Sequence, residues 1–290
     1  MKKQYLYAGI SILAWSTVAT IVKLLLGSMS SIQVLCISSL FAALFLLIVS
    51  CLTGSVKKLK AYKPRDYLCS VLIGLPGTFF YYIFYYSGTA LMPASQAFVV
   101  NYLWPIMCVI FACIILKEKM TAVKALALVL SFIGVIVVVS RDILTFEWQA
   151  LIGTGLCVAG AVCYGAFTAF NQKSAYEKSH TIMISFFVSF LLTAVICLIR
   201  GEFPLPNGVQ LLGIAWNGIV SIGIGTTLWQ LALSGADTAK ISNLAYVTPF
   251  LSIIWTWLIL HEEISLRSLI GLGIIMLGIL IQLRFAKSEG

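Results

Sequence analysis

The chain has 290 residues, 61% of them hydrophobic and only 10% charged, with a formal net charge of +9. A soluble domain carries about 25% charged residues, so the composition excludes one and describes a chain that crosses a membrane many times. The 8 cysteines lie in or beside apolar runs, form no close Cys-x-x-Cys pair and are accompanied by only 2 histidines, which argues against a metal site or a disulfide framework.

A helix needs about 20 apolar residues to span hydrocarbon. Ten runs meet that need: Tyr5–Leu26, Ile32–Leu52, Tyr67–Leu91, Ser95–Leu116, Ala122–Ser140, Gln149–Asn171, Thr181–Ile199, Val209–Leu233, Ala239–Leu260 and Leu266–Leu283. The first follows Met1-Lys2-Lys3-Gln4 like a secretory leader, but it continues to Leu26 without a small-residue cleavage pattern and reads as a retained span. Connections are short, the longest being the basic stretch Lys57–Asp66. With the N-terminus in the cytoplasm, fifteen of the 19 Lys and Arg residues fall inside, and only Lys23, Arg141, Arg200 and Arg267 fall outside. That asymmetry orients the chain with both termini cytoplasmic. The positive charge is therefore a topological signal and not a nucleic-acid surface.

The third run contains Phe79-Phe80-Tyr81-Tyr82-Ile83-Phe84-Tyr85-Tyr86. Tyr81 and Tyr85 share one helix face, and Tyr82 and Tyr86 the adjacent one. Tyr85 and Tyr86 sit close enough to the outer surface to form an interfacial belt; Tyr81 is deeper, where a hydroxyl needs a partner. The fourth run holds Asn101-Tyr102-Leu103-Trp104-Pro105. Pro105 has no N–H to give to the carbonyl of Asn101. A freed acceptor at hydrocarbon depth must face protein, water or a ligand. Tyr81, Tyr85, Tyr102 and Trp104 are therefore candidates for an aromatic binding wall, with plain packing as the alternative. Asn101, Asn171, Asn217, Asn243 and Gln230 are the amide candidates, as substrate contacts or as interhelical glue. Asn243 precedes a second kink.

The chain repeats itself. Shifted by 144 residues, Tyr67–Val139 lies over Leu211–Leu283 without a gap, and eight of the 39 pairs from Asn101 to Val139 are identical. They include Tyr102 with Tyr246, Pro105 with Pro249, Glu118 with Glu262 and Gly134 with Gly278. Five spans per copy is an odd number, so the second copy is inverted. The expected fold is an all-α integral membrane protein. Its ten transmembrane helices form two inverted five-helix repeats, 1–147 and 148–290, around a central cavity. Pro105 and Pro249 fall near the middle of their runs, and interrupted helices at matching positions point to a midplane substrate site. No Asp or Glu lies inside a run, so Glu118 and Glu262 are weak candidates for a proton relay. Lys23 and Lys240 are expected to snorkel to an interface. There is no nucleotide-binding loop, and no cofactor is implied.

On Ala14-Trp15-Ser16, the Asn-Tyr-Leu-Trp-Pro run and the inverted repeat, the sequence resembles the drug/metabolite transporter superfamily. More narrowly, it is similar to the EamA-type branch that contains bacterial aromatic amino-acid exporters. The resemblance implies a basket of helices and outward movement of amino acids and related metabolites. It maps the aromatic wall to Tyr81, Tyr85, Tyr102, Trp104 and, in the second repeat, Tyr164, where a tryptophan is expected. The resulting reading is an inner-membrane exporter of amino acids, aromatic ones included, and related small metabolites. It works by alternating access as a monomer, with a small-molecule substrate and the bilayer as its partners. The alternative substrate is a quaternary ammonium compound such as choline, held by cation–π attraction. An intramembrane enzyme would need a His cluster, paired carboxylates or a Ser–His arrangement that the runs lack, and a scaffold leaves the matched prolines unexplained.

Overall fold

In hydrocarbon, backbone N–H and C=O groups must find partners within their own segment, so each apolar run is driven to form a helix. The computed structural model describes residues 2–203, 205–233 and 244–286, and among them there is no strand. Among the described residues eight helices are long and apolar enough to cross a membrane: α1 (Lys3–Leu26), α2 (Ser31–Leu52), α3 (Pro64–Leu91), α4 (Ala94–Ile115), α5 (Ala122–Leu144), α6 (Trp148–Lys173), α7 (Lys178–Ile199) and α8 (Gly208–Ala232). Two shorter apolar helices follow, α9 (Ala245–Leu260) and α10 (Leu266–Ile281). These positions match the predicted runs to within a few residues. The start of the ninth run, with Lys240 and Asn243, lies outside the described residues.

Helix starts follow local chemistry. Ser30 and Gln33 open α2 with a reciprocal capping box, and Asn207 and Gln210 do the same for α8. Pro64 sits in the first turn of α3, where no donor is missed, and the Asp66 carboxylate accepts from the Lys63 N–H at 2.7 Å.

Two helices contain widened turns: Pro76–Phe80 in α3 and Trp216–Ile224 in α8 are π-helical. Pro76 cannot donate, and the ladder re-forms one residue wider, with the Tyr81 N–H donating to the Pro76 carbonyl. Such π turns are frequent at functional sites.

Helices pair as α2 with α7, α5 with α10, α3 with α6, and α1 with α8. Lipid tails are as apolar as leucine, so contact is won by close approach of small residues. A Cβ on Gly134 would stand 2.7 Å from the Gly271 carbonyl, and one on Gly278 would stand 2.8 Å from that of Ala127. Shifting Gly134 and Ala127 by 144 residues gives Gly278 and Gly271, so the two contacts exchange. Likewise Gly74 rests on Ser185 of α7 and its counterpart Gly218 rests on Ser38 of α2.

One expectation is corrected by burial. Tyr85 and Tyr86 are 1% and 0% exposed, so neither belongs to an interfacial belt. Tyr86 accepts from the Asn217 Nδ2 at 2.6 Å, which makes Asn217 interhelical glue. Lys23 lies near the end of α1, and its Nζ donates to the carbonyls of Thr89 at 2.8 Å and Met92 at 2.6 Å, at the C-terminal end of α3. A cation there complements the helix dipole.

Candidate functional site

The helices that carry Pro105 and Pro249 are both broken. In α4 the segment Ala94–Asn101 ends in a turn at Tyr102 and Leu103, and helix resumes at Trp104 with Pro105 in its first turn. In α9 a 3₁₀ turn, Ala245–Val247, precedes the helix Thr248–Leu260, with Pro249 in its first turn. The breaks touch: the Tyr102 hydroxyl donates to the Ala245 carbonyl at 2.8 Å, buried. Pro249 has no N–H to give to that carbonyl, four residues back, and the carbonyl accepts instead from the Thr248 N–H and from this side chain of the other half.

Around the breaks lies a cavity of about 490 Å³. Tyr81, Tyr85, Asn101, Tyr102, Trp104 and Tyr164 all line it. Tyr164 is the pivot of one wall, with ring centroids 4.9 Å from Tyr81 and 5.3 Å from Trp104, the latter edge-on. Tyr81 stacks on Tyr85 at 6.0 Å, and Tyr102 meets Trp104 edge-on at 6.2 Å. Tryptophans 15 and 229 contribute a second aromatic pair 5.2 Å apart. The Tyr81 hydroxyl finds its partner in Asn101, whose Nδ2 donates to it at 3.0 Å. Asn101 Oδ1 and Thr248 Oγ1 are buried in the same lining without a hydrogen-bond partner.

Lys178 is the one ammonium in the described lining, and no carboxylate lines it. Its Nζ donates to the carbonyls of Asn171, Gln172 and Ser174, closing the C-terminal end of α6. Exposed Gln172 marks this as the open end of the cavity. Beside that mouth Lys58 pairs with Glu177 at 2.9 Å. Partial burial works against the Glu177 carboxylate, but the hydrogen bond from Lys58, with His180 and the Lys58 charge, outweighs it and holds the carboxyl below its usual range. At the opposite end, Ala94, Ala97, Val99, Val100 and Leu103 are buried to 0% exposure.

Pro105 and Pro249 stand at the breaks and do not line the cavity; Asn243 lies outside the described residues. Asn171 and Gln230 reach the lining, whereas Asn217 does not. Sequence reasoning missed Phe98, Phe167, Thr168, Thr226 and Thr248, and gave Trp15 and Trp229 no role in the wall. The repeat held the missed signal, since Trp229 is the counterpart of Tyr85 at 144 residues' distance.

The EamA-like transporter family matches the chain twice, over residues 2–140 and 151–284. The chain belongs to this family. A transporter of Archaeoglobus fulgidus is 24% identical, with 97% of this chain and 99% of that one covered. The aromatic amino acid exporter YddG of Ancylobacter novellus is 23% identical over 62% of this chain and 63% of its own length. The pseudopaline exporter CntI of Pseudomonas aeruginosa is 25% identical, with 63% of each chain covered. A solved crystal structure superposes with a TM-score of 0.67 over 100% of both chains at 20% identity, a likeness of fold. This EamA protein is thus a multi-pass membrane transporter of small molecules.

Proposed function

We propose that this EamA protein exports amino acids, aromatic ones included, and related small metabolites across the cytoplasmic membrane by alternating access. The observation that carries the reading is the aromatic-walled cavity of about 490 Å³ built at two matched helix breaks. Small-molecule pockets run to about 300–1,000 Å³, so an amino acid is accommodated with room for water. The substrate ring stacks on Trp104, Tyr164 and Tyr81. Its ammonium group is met by the unpartnered oxygens of Asn101 and Thr248. Lys178, beside which the described lining holds no carboxylate, favours a zwitterion over a quaternary ammonium compound. Pro105 and Pro249 set the breaks that shape the pocket.

The exchanged glycine contacts of α5 with α10, and of α3 and α8 with α7 and α2, support two inverted repeats, 1–147 and 148–290. On the positive-inside orientation both termini are cytoplasmic, the Lys178 mouth opens to the cytoplasm and the far end faces outward. The test is flux of radiolabelled phenylalanine, leucine and choline in proteoliposomes. Phenylalanine and leucine should move, with phenylalanine preferred. Flux of choline alone, or of none of the three, overturns the reading.

A further inference from the structure

Two charges far from the open mouth act on one turn. Glu262, in the connection between α9 and α10, accepts from the Ala94 N–H at 2.6 Å, the Ser95 N–H at 2.9 Å and the Ser95 hydroxyl at 2.7 Å. Lys23 of α1 donates to the carbonyls of Thr89 and Met92. The turn from α3 into α4 is thus held from both sides, its amides by an anion of the second half and its carbonyls by a cation of the first. Each charge stands at the helix end whose dipole favours it, and hydrogen bonds to ionised groups are roughly twice as strong as neutral ones.

What lies beyond that turn gives the arrangement its meaning. The helix Ala94–Asn101 has 8 residues, almost all buried, and runs straight from the Glu262 contacts to the break that bears Asn101, Tyr102 and Trp104. At ~1.5 Å per residue it is a rod of about 10 Å. One end touches the cavity and the other is gripped across the two halves. Glu118, the repeat counterpart of Glu262, is differently placed: its carboxylate pairs with Lys124 at 3.0 Å and is 48% exposed. The engaged glutamate is on the closed side of the cavity and the exposed one on the open side.

We infer that Glu262 is a positioning residue of the transport cycle, and that with Lys23 it forms a latch holding the far side of the cavity shut. The inference rests on the alternating-access reading. Opening that side requires the rod to leave Glu262, which strands the Ala94 and Ser95 amides until water reaches them. A substrate that shifts the Asn101 break moves the same rod, so occupancy and release are mechanically joined through eight residues.

The test uses the full chain carrying Val18→Cys, a cavity-lining position. A membrane-impermeant maleimide is added to right-side-out and inverted vesicles, and labelling is read by peptide mass spectrometry at residue 18, so native cysteines do not contribute. Glu262→Ala should raise the ratio of outer to inner labelling at least about tenfold, equivalent to about 1.4 kcal/mol. Glu262→Gln should fall between it and the parent, because an amide oxygen still accepts one N–H. Lys23→Met should move the ratio in the same direction and carries the test if Glu262→Ala does not fold. Glu118→Ala should not raise it. An unchanged ratio in Lys23→Met and in each folded Glu262 variant, with proteoliposome flux intact, overturns the latch and leaves transport standing. Absence of flux in the unsubstituted protein would instead remove the transport reading beneath it.

Discussion

Replacing Tyr102 by phenylalanine isolates one atom that joins the two halves of the molecule. The ring stays, at 3% exposure, and only the hydroxyl that donates to the Ala245 carbonyl at 2.8 Å is lost. The carbonyl keeps the Thr248 N–H as its partner, so the loss is that of one buried hydrogen bond, about 0.5–1.5 kcal/mol. That is roughly a 2- to 12-fold change in the population of the state in which α4 and α9 are joined, at about 1.4 kcal/mol per tenfold. Because the hydroxyl is spent on the protein and not on the substrate, the change should appear in turnover and stability. Counterflow of phenylalanine and leucine in proteoliposomes, with KM and maximal rate measured separately, should show a maximal rate altered for both substrates. Their KM ratio should stay within about twofold, and thermal unfolding in detergent should come earlier. A KM for phenylalanine raised tenfold, with maximal rate and unfolding unchanged, would refute the reasoning and return the hydroxyl to the substrate.

Trp104→Ala removes a ring that meets Tyr164 at 5.3 Å and Tyr102 at 6.2 Å; at about 0.5–1.5 kcal/mol per stacked pair, phenylalanine transport should weaken by up to about tenfold and leucine transport less. Equal losses with the fold intact would mean the wall confers no selectivity. Pro105→Ala and Pro249→Ala restore a backbone donor for the carbonyls of Asn101 and Ala245, so transport should fall at normal expression; unimpaired flux in both variants would reduce the breaks to packing features. Gly134→Leu forces α5 from α10, since even a Cβ would stand 2.7 Å from the Gly271 carbonyl, and overpacking of this kind costs about 1–3 kcal/mol or more. Thermal unfolding should reveal it, while Gly155→Leu, where nothing lies within 4 Å, should be silent.

The helices were legible because hydrocarbon permits so few backbone solutions that apolar length alone locates them. Tyr81, Tyr102 and Trp104 were legible because Pro105 marks a place where a helix must break, and large rings beside a break have a space to fill. The partners of the polar atoms were not. Nothing local to Tyr102 says that its hydroxyl reaches a carbonyl 143 residues away, and nothing local to Lys23 says that its ammonium grips Thr89 and Met92. Those choices are made by packing between halves. Glu262 shows the same limit: its position at a span end argued against a proton relay, yet only the folded chain brings it to the start of α4. Thr168 and Thr248 carry no pattern of their own and enter the lining through the helices that hold them.

The widened turn at Pro76–Phe80 makes this wall tolerant of a change in chain length. It contains a residue that a regular helix would not hold, and its greater width takes up the roughly 100° that one added residue would otherwise impose. The tyrosine run from Tyr81 to Tyr86 therefore keeps the phase it would have on an unbroken helix. Removing a single position inside the turn would restore a regular ladder and leave the same rings facing the cavity. Two related chains with the same tyrosines, differing by one residue in this turn, would present the same wall to their substrates.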